Sequence, residues 1–496
     1  MQASKLIECL RFKQVFPADY ADFAVALLTQ NTKEVVENSI FVAVKGAQFD
    51  GHRFVEQAIQ AGAKMIIAQD KVATGEVPVV YVENSKRAMA ILSSRFYGNA
   101  SQALRIIGVT GTNGKTTVTH LIEAIFRAQG EETGLVGTMY RKVGNEIFPT
   151  KNTTPDIITL QRTLNKMVER HVSTVAMEVS SIALIQGRVW GIDFDIGVFT
   201  NLSRDHLDYH KTMANYEHAK SLLFSQLGNQ YSGNGDDKVA VLNIDDPVGQ
   251  KLQQDTAAHV LTYGIERSAM IQATDVKIHS QGTDFKLHVF EQVWPLRVKM
   301  IGLFNVYNIL AAFAAAYAAG IKVEKILAAL TAFPGVKGRM QLLTSTTGVS
   351  AVIDYSHTPD GLLKALETLD QVAQKRVLCV IGCGGDRDHG KRPKMGKIAV
   401  KYSDLAIFTS DNPRTEDPQK IISSMLSGVE QPDRVPVFVK RREAINYAIQ
   451  QAQTGDIVLI AGKGHEDYQI IGKEKHHFDD VEEAMKALRL KEQANK

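Results

Sequence analysis

Apolar residues along the chain fall into short runs bounded by polar or glycine-containing junctions, and strand-type runs alternate with stretches of helical spacing. Over the first hundred residues Ser39 to Val44, Lys64 to Ala68 and Val79 to Val82 read as strands, with a helical stretch from His52 to Ala61. That pattern predicts a small α/β domain. From Leu104 to about Phe333 the alternation resumes with Leu104, Ile106 and Ile107, then Ser173 to Met177, Ile196 to Thr200 and Val239 to Ile244. A very Ala-rich helix, Ile309 to Ala319, follows, and Pro334-Gly335-Val336-Lys337-Gly338-Arg339 reads as a hinge. Beyond it, a β-type run at Met340 to Leu343 and runs at Val377 to Ile381, Leu405 to Thr409 and Ile457 to Ile460 predict a Rossmann-like sheet. The expected fold is α/β in three domains: 1–100, a ligand-binding domain; 101–335, a central parallel-sheet domain of P-loop ATPase type; and 336–496, a Rossmann-like domain.

Composition narrows the class without naming a chemistry. At 496 residues the chain exceeds what one hydrophobic core supports, and its 44% hydrophobic content supplies several. Lys plus Arg is 57 against Asp plus Glu at 54, a balance that argues against a nucleic-acid-coating protein. Cys9, Cys379 and Cys383 are the only cysteines; Cys379-x-x-x-Cys383 lacks a second metal pair, and the odd count suits a reducing compartment. The N-terminus has no basic-then-apolar signal pattern, and no window approaches the roughly 18 apolar residues of a membrane span. A cytoplasmic protein with no membrane partner, working as a monomer, is expected.

The chemistry concentrates where the first central strand meets a helix. Gly108-Val109-Thr110-Gly111-Thr112-Asn113-Gly114-Lys115-Thr116-Thr117 is a variant phosphate loop, with Val109 where the usual pattern has a glycine. Glycines turn backbone N–H groups toward phosphate oxygens, the helix N-terminus adds positive partial charge, Lys115 neutralises the β- and γ-phosphates, and Thr116 offers a hydroxyl to Mg²⁺. The expected ligand is a nucleoside triphosphate. Two further strands end at Glu178-Val179-Ser180-Ser181 and at Asn201-Leu202-Ser203-Arg204-Asp205-His206-Leu207-Asp208, at the sheet edge where doubly wound folds bind ligands. Glu178 and His206 could converge there on a divalent ion, although His206 alone fits a capping or core role as readily. Lys220, in Tyr216-Glu217-His218-Ala219-Lys220, reads no differently from a solvated helical lysine, and Asn305 sits at a buried helix start.

The third domain offers three strand-to-loop junctions, the first and last rich in glycine: Gly382-Cys383-Gly384-Gly385-Asp386-Arg387-Asp388, Asp411-Asn412-Pro413-Arg414, and Gly462-Lys463-Gly464-His465-Glu466. None matches the dinucleotide pattern Gly-x-Gly-x-x-Gly opening a helix. Arg387 and Arg414 could clamp a carboxylate while Glu466 takes an ammonium, the charge pattern of a zwitterionic amino acid. In the first domain, the polar loop Val44-Lys45-Gly46-Ala47-Gln48-Phe49-Asp50-Gly51-His52 suits a ligand's polar head but also an ordinary turn.

Taken together and in order, Thr110 to Thr117, Asn152-Thr153-Thr154-Pro155, Glu178-Val179-Ser180-Ser181, Asn201 to His210, Gly338-Arg339, Asp354-Tyr355, Asp386-Arg387-Asp388 and Asp411-Asn412-Pro413-Arg414 closely resemble the Mur ligases of peptidoglycan synthesis, over all three domains. The resemblance implies ATP and Mg²⁺ at Gly111, Thr112, Asn113, Gly114, Lys115, Thr116 and Thr117, with Asn305 and Arg339 near the nucleotide. It implies metal contacts from Thr116, Glu178, His206 and Lys220, the lysine being N-carboxylated in the family, and a catalytic set of Lys115, Glu178, His206 and Lys220. Thr32, Asn152, Thr153, Thr154, Ser180, Gln186 and Arg188 would hold a UDP-muramoyl dipeptide. Arg387, Asp411, Asn412, Pro413, Arg414, Gly462 and Glu466 would hold the incoming amino acid, with the arginine form of the Asp-Asn-Pro motif typical of meso-diaminopimelate. The implied activity is an ATP-dependent amide ligase working through an acyl phosphate.

Three positions depart from the family pattern: Asn31-Thr32-Lys33 replaces Asp-Ser-Arg, Ile182 replaces the histidine after Glu-Val-Ser-Ser, and Ser356 replaces the alanine of Asp-Tyr-Ala-His. They leave open an L-lysine-adding ligase and a nucleotide-binding paralogue without ligase activity. A folylpolyglutamate-synthetase-like enzyme fits less well, because the Asn-Thr-Thr-Pro and Asp-Asn-Pro-Arg motifs speak against it.

Overall fold

The computed structural model describes residues 1–46, 49–229, 231, 237–279 and 282–494; Ala47 and Gln48 of the first-domain loop and the side chain of Asp208 lie outside that description. The chain forms two compact units, one of residues Met1–Ile271 with Leu310–Ile326, the other of Gln272–Ile309 with Leu327–Lys496. The fold is α/β throughout, built on parallel-dominated sheets.

The first unit carries two sheets. In the N-terminal one the order is Gln14–Phe16, Val79–Tyr81, Ala63–Ala68, Ser39–Val42, Leu27–Thr29, parallel except at the Gln14–Phe16 edge. The stretch predicted as one helix from His52 splits into a 3₁₀ turn, Gly51–Phe54, and helix Val55–Gln60. His52 explains the split: its Nδ1 meets Asp50 at 2.6 Å and its Nε2 accepts the N–H groups of Gln69 and Asp70, which ties the turn to the neighbouring strand end. The central sheet runs His259–Gly264, Val239–Asn243, Ile196–Phe199, Arg105–Thr110, Thr174–Glu178, Thr133–Val136, all parallel, then antiparallel Arg141–Val143 and Glu146–Phe148. Its strands are near-continuous apolar runs because helices cover both faces. Helix Ser85–Phe96 packs Ala88, Met89 and Leu92 into one apolar cluster with Ile157 and Ile158, so the two sheets of this unit share a core.

In the second unit the C-terminal sheet has the order Gln341–Thr344, Ser350–Asp354, Ile457–Ala461, Val377–Ile381, Leu405–Thr409, Val437–Phe438, parallel except for the first strand. An antiparallel hairpin, Tyr468–Ile471 with Glu474–His477, follows the strand at Ile457. The Ala-rich helix starts earlier than predicted, at Leu303, and ends at Ala318. Helices Lys391–Tyr402 and Pro418–Leu426 approach so closely that a Cβ on Gly396 would fall against the Met425 carbonyl oxygen. Gly396→Ala is therefore expected to cost about 1–3 kcal/mol by overpacking. A denaturation midpoint equal to that of the wild type would show that the helices do not meet this tightly.

Candidate active site

The phosphate-type loop lies between the central strand Arg105–Thr110 and helix Lys115–Arg127. Gly114 precedes the helix at φ 90° and gives no side-chain cap, and the first helical bond of its backbone runs from Val118 N to Gly114 O. The amides of the first turn therefore lack carbonyl partners inside the helix and point where an anion would sit. A Cβ on Gly111 would collide with the Thr200 hydroxyl, so only glycine passes there. The rest of the loop is laced to the end of the neighbouring strand: Thr112 N donates to Asn201 O at 2.8 Å, Asn113 N to Asn201 Oδ1 at 3.0 Å, and Thr200 Oγ1 to Asn113 O at 2.6 Å.

Two ammonium groups share one loop carbonyl. Lys115 Nζ donates to Gly111 O at 2.8 Å and Thr112 O at 2.9 Å, and Lys220 Nζ donates to Gly111 O at 2.7 Å. Lys220 is 1% exposed and lies 4.4 Å over the Tyr216 ring, so the sequence's solvated helical lysine is a buried site residue. Burial first, and then the neighbouring charge of Lys115, hold its pKa well below the ordinary lysine value. Tyr216 shares a hydrogen bond with Thr112 at 3.2 Å and stacks on His210, whose Nε2 meets Ser181 Oγ at 2.9 Å.

Glu178 ends its strand 1% exposed. Its carboxylate accepts from Thr116 Oγ1 at 3.1 Å, Thr138 N at 2.8 Å and Thr138 Oγ1 at 3.0 Å, all neutral donors; among the described contacts no cation pairs with it. Thr154 Oγ1 donates to Glu178 O at 2.9 Å and accepts from Ser180 N at 3.0 Å, while Thr138 Oγ1, its proton given to Glu178, lies 3.1 Å from the Thr153 hydroxyl and can accept from it. Arg188, its pKa lowered by burial, donates to Thr154 O at 2.9 Å and twice to Gln186 Oε1, and Gln186 donates on to Tyr209. Thr153, Thr154, Ser180, Gln186 and Arg188 thus form one network with Glu178. His206 is exposed at φ 52°, its nearest carboxylate the adjacent Asp205 at 3.6 Å, and the described contacts do not join it to Glu178. Asn152 is exposed, and Thr32 lies in a 3₁₀ turn that Asn31 caps by accepting from Lys33 N.

In the second unit the amino-acid candidates gather at the carboxyl ends of Val377–Ile381, Leu405–Thr409 and Ile457–Ala461. Arg414, at φ 52°, donates from Nη1 to Gly385 O at 2.7 Å; its backbone is zipped to the hairpin through Arg414 N to Ile470 O and Gly472 N to Arg414 O. Arg387 is exposed, with Nη1 on the Asp386 carbonyl. Pro413 is buried beside Asn412, whose Nδ2 donates to Glu466 Oε2 at 2.7 Å, and a Cβ on Gly462 would crowd Asp411 Oδ2. Arg339 lies 4.8 Å over the Tyr355 ring with its Nε buried and without a hydrogen-bond partner. Burial pushes the Tyr355 phenol up to about 12, with Glu466 adding to the rise. Asn305 is buried at its helix start, donating to Ile301 O and accepting from Asn308.

Sequence reasoning missed Thr138, Tyr216, His210 and Lys463. Tyr216 stands four residues before Lys220, one helical turn along the same face, which is a signal the spacing did contain. Thr138 follows a strand end through Gly137, where a Cβ would meet Glu178, and nothing local marks it.

The chain matches three family descriptions: "Mur ligase family, catalytic domain" over residues 25–97, "Mur ligase middle domain" over 109–316, and "Mur ligase, glutamate ligase domain" over 338–464. It is 62% identical over 491 residues, 99% of each chain, to a UDP-N-acetylmuramoyl-L-alanyl-D-glutamate–2,6-diaminopimelate ligase of Lactiplantibacillus plantarum. It is 51% identical over 488 residues, 98% of this chain and 99% of the relative, to the ligase of the same name from Listeria monocytogenes. A solved structure of that ligase superposes with a TM-score of 0.71 at 33% identity, over 98% of this chain and 99% of the other. A Thermotoga maritima MurF ligase in complex with ADP shares the fold, with a TM-score of 0.60 at 17% identity over 95% of this chain and 98% of its own.

The thiols give a direct check of this geometry. Burial pushes Cys379 and Cys383 up to about 12, whereas Cys9 is partly exposed and raised by its burial against the opposing pull of Arg95. Titration of the native protein with a thiol-specific chromogenic disulfide near pH 8 is expected to count one reactive cysteine, and all three after unfolding. Fast reaction of a second thiol in the native state would contradict the placement of the Cys383 loop.

Proposed function

The chain belongs to the Mur ligase family, and on that premise we propose that it is the ATP-dependent ligase joining meso-diaminopimelate to UDP-N-acetylmuramoyl-L-alanyl-D-glutamate, a step of peptidoglycan precursor synthesis. The observation that carries this reading is the end-to-end identity with ligases of that name. Arg414 supports the amino acid chosen: diaminopimelate has a second carboxylate at its far end that a guanidinium can clamp, and lysine has only hydrogen there. A cytoplasmic location, where ATP is at hand, goes with this reading.

The D-glutamate side-chain carboxylate attacks the γ-phosphorus of ATP, the bond to ADP breaks, and an acyl phosphate forms. The amine of diaminopimelate then adds to the acyl carbon, phosphate leaves, and the amine proton is released with it. The first-turn amides of helix Lys115–Arg127 and the loop from Gly111 hold the phosphate oxygens. Lys115 exchanges the Gly111 and Thr112 carbonyls for the β- and γ-phosphates, where its charge opposes the build-up of negative charge in the transition state. The network of Thr153, Thr154, Ser180, Gln186 and Arg188 orients the nucleotide-linked substrate, with Asn152 and Thr32 completing its path. No protein nucleophile takes part; the rate comes from positioning and charge stabilisation.

The residues present fit a divalent cation. A fully buried carboxylate surrounded only by neutral donors costs about 3–5 kcal/mol if left uncompensated, and Glu178 is such a group. Mg²⁺ would be held by Thr116 and Glu178, with His206 and an N-carboxylated Lys220 as further ligands, and when bound it neutralises charge on the transferring phosphoryl group. Lys220 is suited to the modification: its lowered pKa favours the neutral amine, which adds to carbon dioxide with formation of an N–C bond and loss of one proton to water. The product is an anion in place of a cation.

Phosphate release is expected only when ATP, the UDP-muramoyl dipeptide and meso-diaminopimelate are all present; release with L-lysine at an equal or greater rate would overturn the choice of amino acid. Lys220→Ala should abolish turnover and regain part of it with added short-chain carboxylates, whereas full activity in that variant would dismiss the carboxylated lysine.

A further inference from the structure

The loop Gly462-Lys463-Gly464-His465-Glu466 gives the amino-acid pocket Gly462 and Glu466, and between them stands a lysine without a part in the reaction. Lys463 is 0% exposed. Its Nζ lies 3.2 Å from Asn412 Oδ1 and 3.3 Å from Glu466 Oε2, and 5.6 Å over the Tyr468 ring. Asn412 Oδ1 also accepts Ile470 N at 2.9 Å, so an ammonium and a backbone N–H on one oxygen fix which way the carboxamide faces. Its Nδ2 then has to point at Glu466 Oε2, which it does at 2.7 Å. Both donors use the same carboxylate oxygen. Glu466 Oε1 has no hydrogen bond among the described contacts.

The charges around this point do not cancel. Asp411 is buried and Glu466 largely so, giving two carboxylates against the single ammonium of Lys463. Arg441, which faces the same two acids from helix Arg441–Gln451, is already committed to the fully buried Asp480 through Nε and Nη2, both at 2.7 Å. Glu466 Oε1 is the carboxylate oxygen left to receive a partner. Without Lys463 the pocket would hold two adjacent carboxylates, an arrangement in which one takes up a proton rather than remain charged.

We propose that Lys463 is a positioning residue, a built-in counter-ion that keeps Glu466 ionised and turned so that its free oxygen receives an ammonium group of the incoming diamino acid. The inference rests on the reading that this pocket takes diaminopimelate, and it adds the residue that presets Glu466 for an ammonium group. The groups facing Glu466 define the expected pH behaviour. Burial raises its carboxyl, Lys463 opposes the rise and Asp411 adds to it; the Tyr355 and Tyr468 phenols, themselves raised, face it with Arg339 over the Tyr355 ring, Arg414 acting on Tyr468, and Arg441 paired to Asp480. Ammonium binding needs the carboxylate form, so affinity is lost as pH falls through the Glu466 pKa. Removing Lys463 takes away the lowering influence and moves that loss to higher pH.

The test is steady-state kinetics of the full chain with diaminopimelate as the varied substrate across the acid limb of the pH profile. Lys463→Met is expected to raise the KM for diaminopimelate at least about tenfold, to shift the acid limb of kcat/KM to higher pH, and to leave the KM values for ATP and the UDP-muramoyl dipeptide at the wild-type level. Lys463→Gln, which keeps an N–H donor but no charge, should show the same displaced limb with a smaller rise in KM, and it serves as the readout if the methionine variant does not fold. In a Glu466→Gln background, Lys463→Met should move the limb no further. An unmoved acid limb in both single variants, or equal KM increases for all three substrates, would overturn the proposal. Absence of diaminopimelate-dependent phosphate release in the wild type would instead sink the underlying reading, so the two failures are distinguishable.

Discussion

A buried negative charge that the chain surrounds but does not neutralise sets the character of the central sheet's carboxyl edge. Glu178 is held by three hydrogen bonds from Thr116 and Thr138, enough to orient a carboxylate and too few to replace the water it has lost. Beside it the imbalance is of the opposite sign: Lys115 and Lys220 crowd the Gly111 carbonyl, and repulsion between them adds to the burial that depresses the Lys220 pKa. Thr116 belongs to both halves, following Lys115 in the chain and touching Glu178 through its hydroxyl. Charge of each sign stands here without a full partner among the described residues, which is the arrangement that the proposed binding of a polyphosphate with its cation calls for. The local glycines make this possible: a Cβ at Gly137 would fall against the Glu178 carboxylate, and one at Gly111 against the Thr200 hydroxyl that ties the loop down.

The same logic governs the second unit at a different set of strand ends. The Asp-Asn-Pro-Arg segment is not held by its own strand alone. The hairpin Tyr468–His477 pins it through Arg414 N to Ile470 O, Gly472 N to Arg414 O and Ile470 N to Asn412 Oδ1. A non-glycine residue at positive φ costs of the order of 1 kcal/mol, and these backbone bonds are what hold Arg414 there with its guanidinium across the Gly385 carbonyl. The placement of Arg414, and with it the carboxylate clamp proposed for it, therefore depends on a hairpin that lies more than fifty residues further along the chain.

What could be read from the sequence was what local physics determines. The strand–loop–helix around Gly111 to Thr117 is encoded within a dozen residues, so its role was legible without tertiary information, as was the placing of Glu178 at a strand end. Lys220 was not, because nothing in Tyr216 to Lys220 says which helix face will be covered; burial is a property of the packing, and only the resemblance to a family singled the residue out. Lys463 escaped for the same reason, being one lysine in a polar loop until Asn412 and Glu466 close on it. The departures from the family pattern resolve locally. Asn31 caps the turn containing Thr32, and the Ser356 hydroxyl donates to Asp354, the residue whose other oxygen accepts Met340 N beside Arg339. Ile182 sits half-buried on the short helix Ser181–Ile185, and the structure offers no reason for its replacing a polar residue.

The protonation states in the structure also bear on how the amide bond is made. A covalent route through the protein would need a thiolate, an alkoxide with a neighbouring base, or a free amine directed at the substrate. The Cys383 thiol, the nearest to the amino-acid loops, is raised to about 12 by burial and lies 3.7 Å from the Met395 sulfur, where it is inert at neutral pH. The buried amine of Lys220, its pKa well lowered, is turned onto the Gly111 carbonyl and enclosed by the Tyr216 ring. The hydroxyl that does have a base beside it, Ser181 with His210 Nε2 at 2.9 Å, is 2% exposed. In the proposed reading the activated species is therefore built from the substrates themselves, with the leaving group supplied by ATP, and the threonine hydroxyls and amides around Glu178 fix geometry without offering an activated nucleophile.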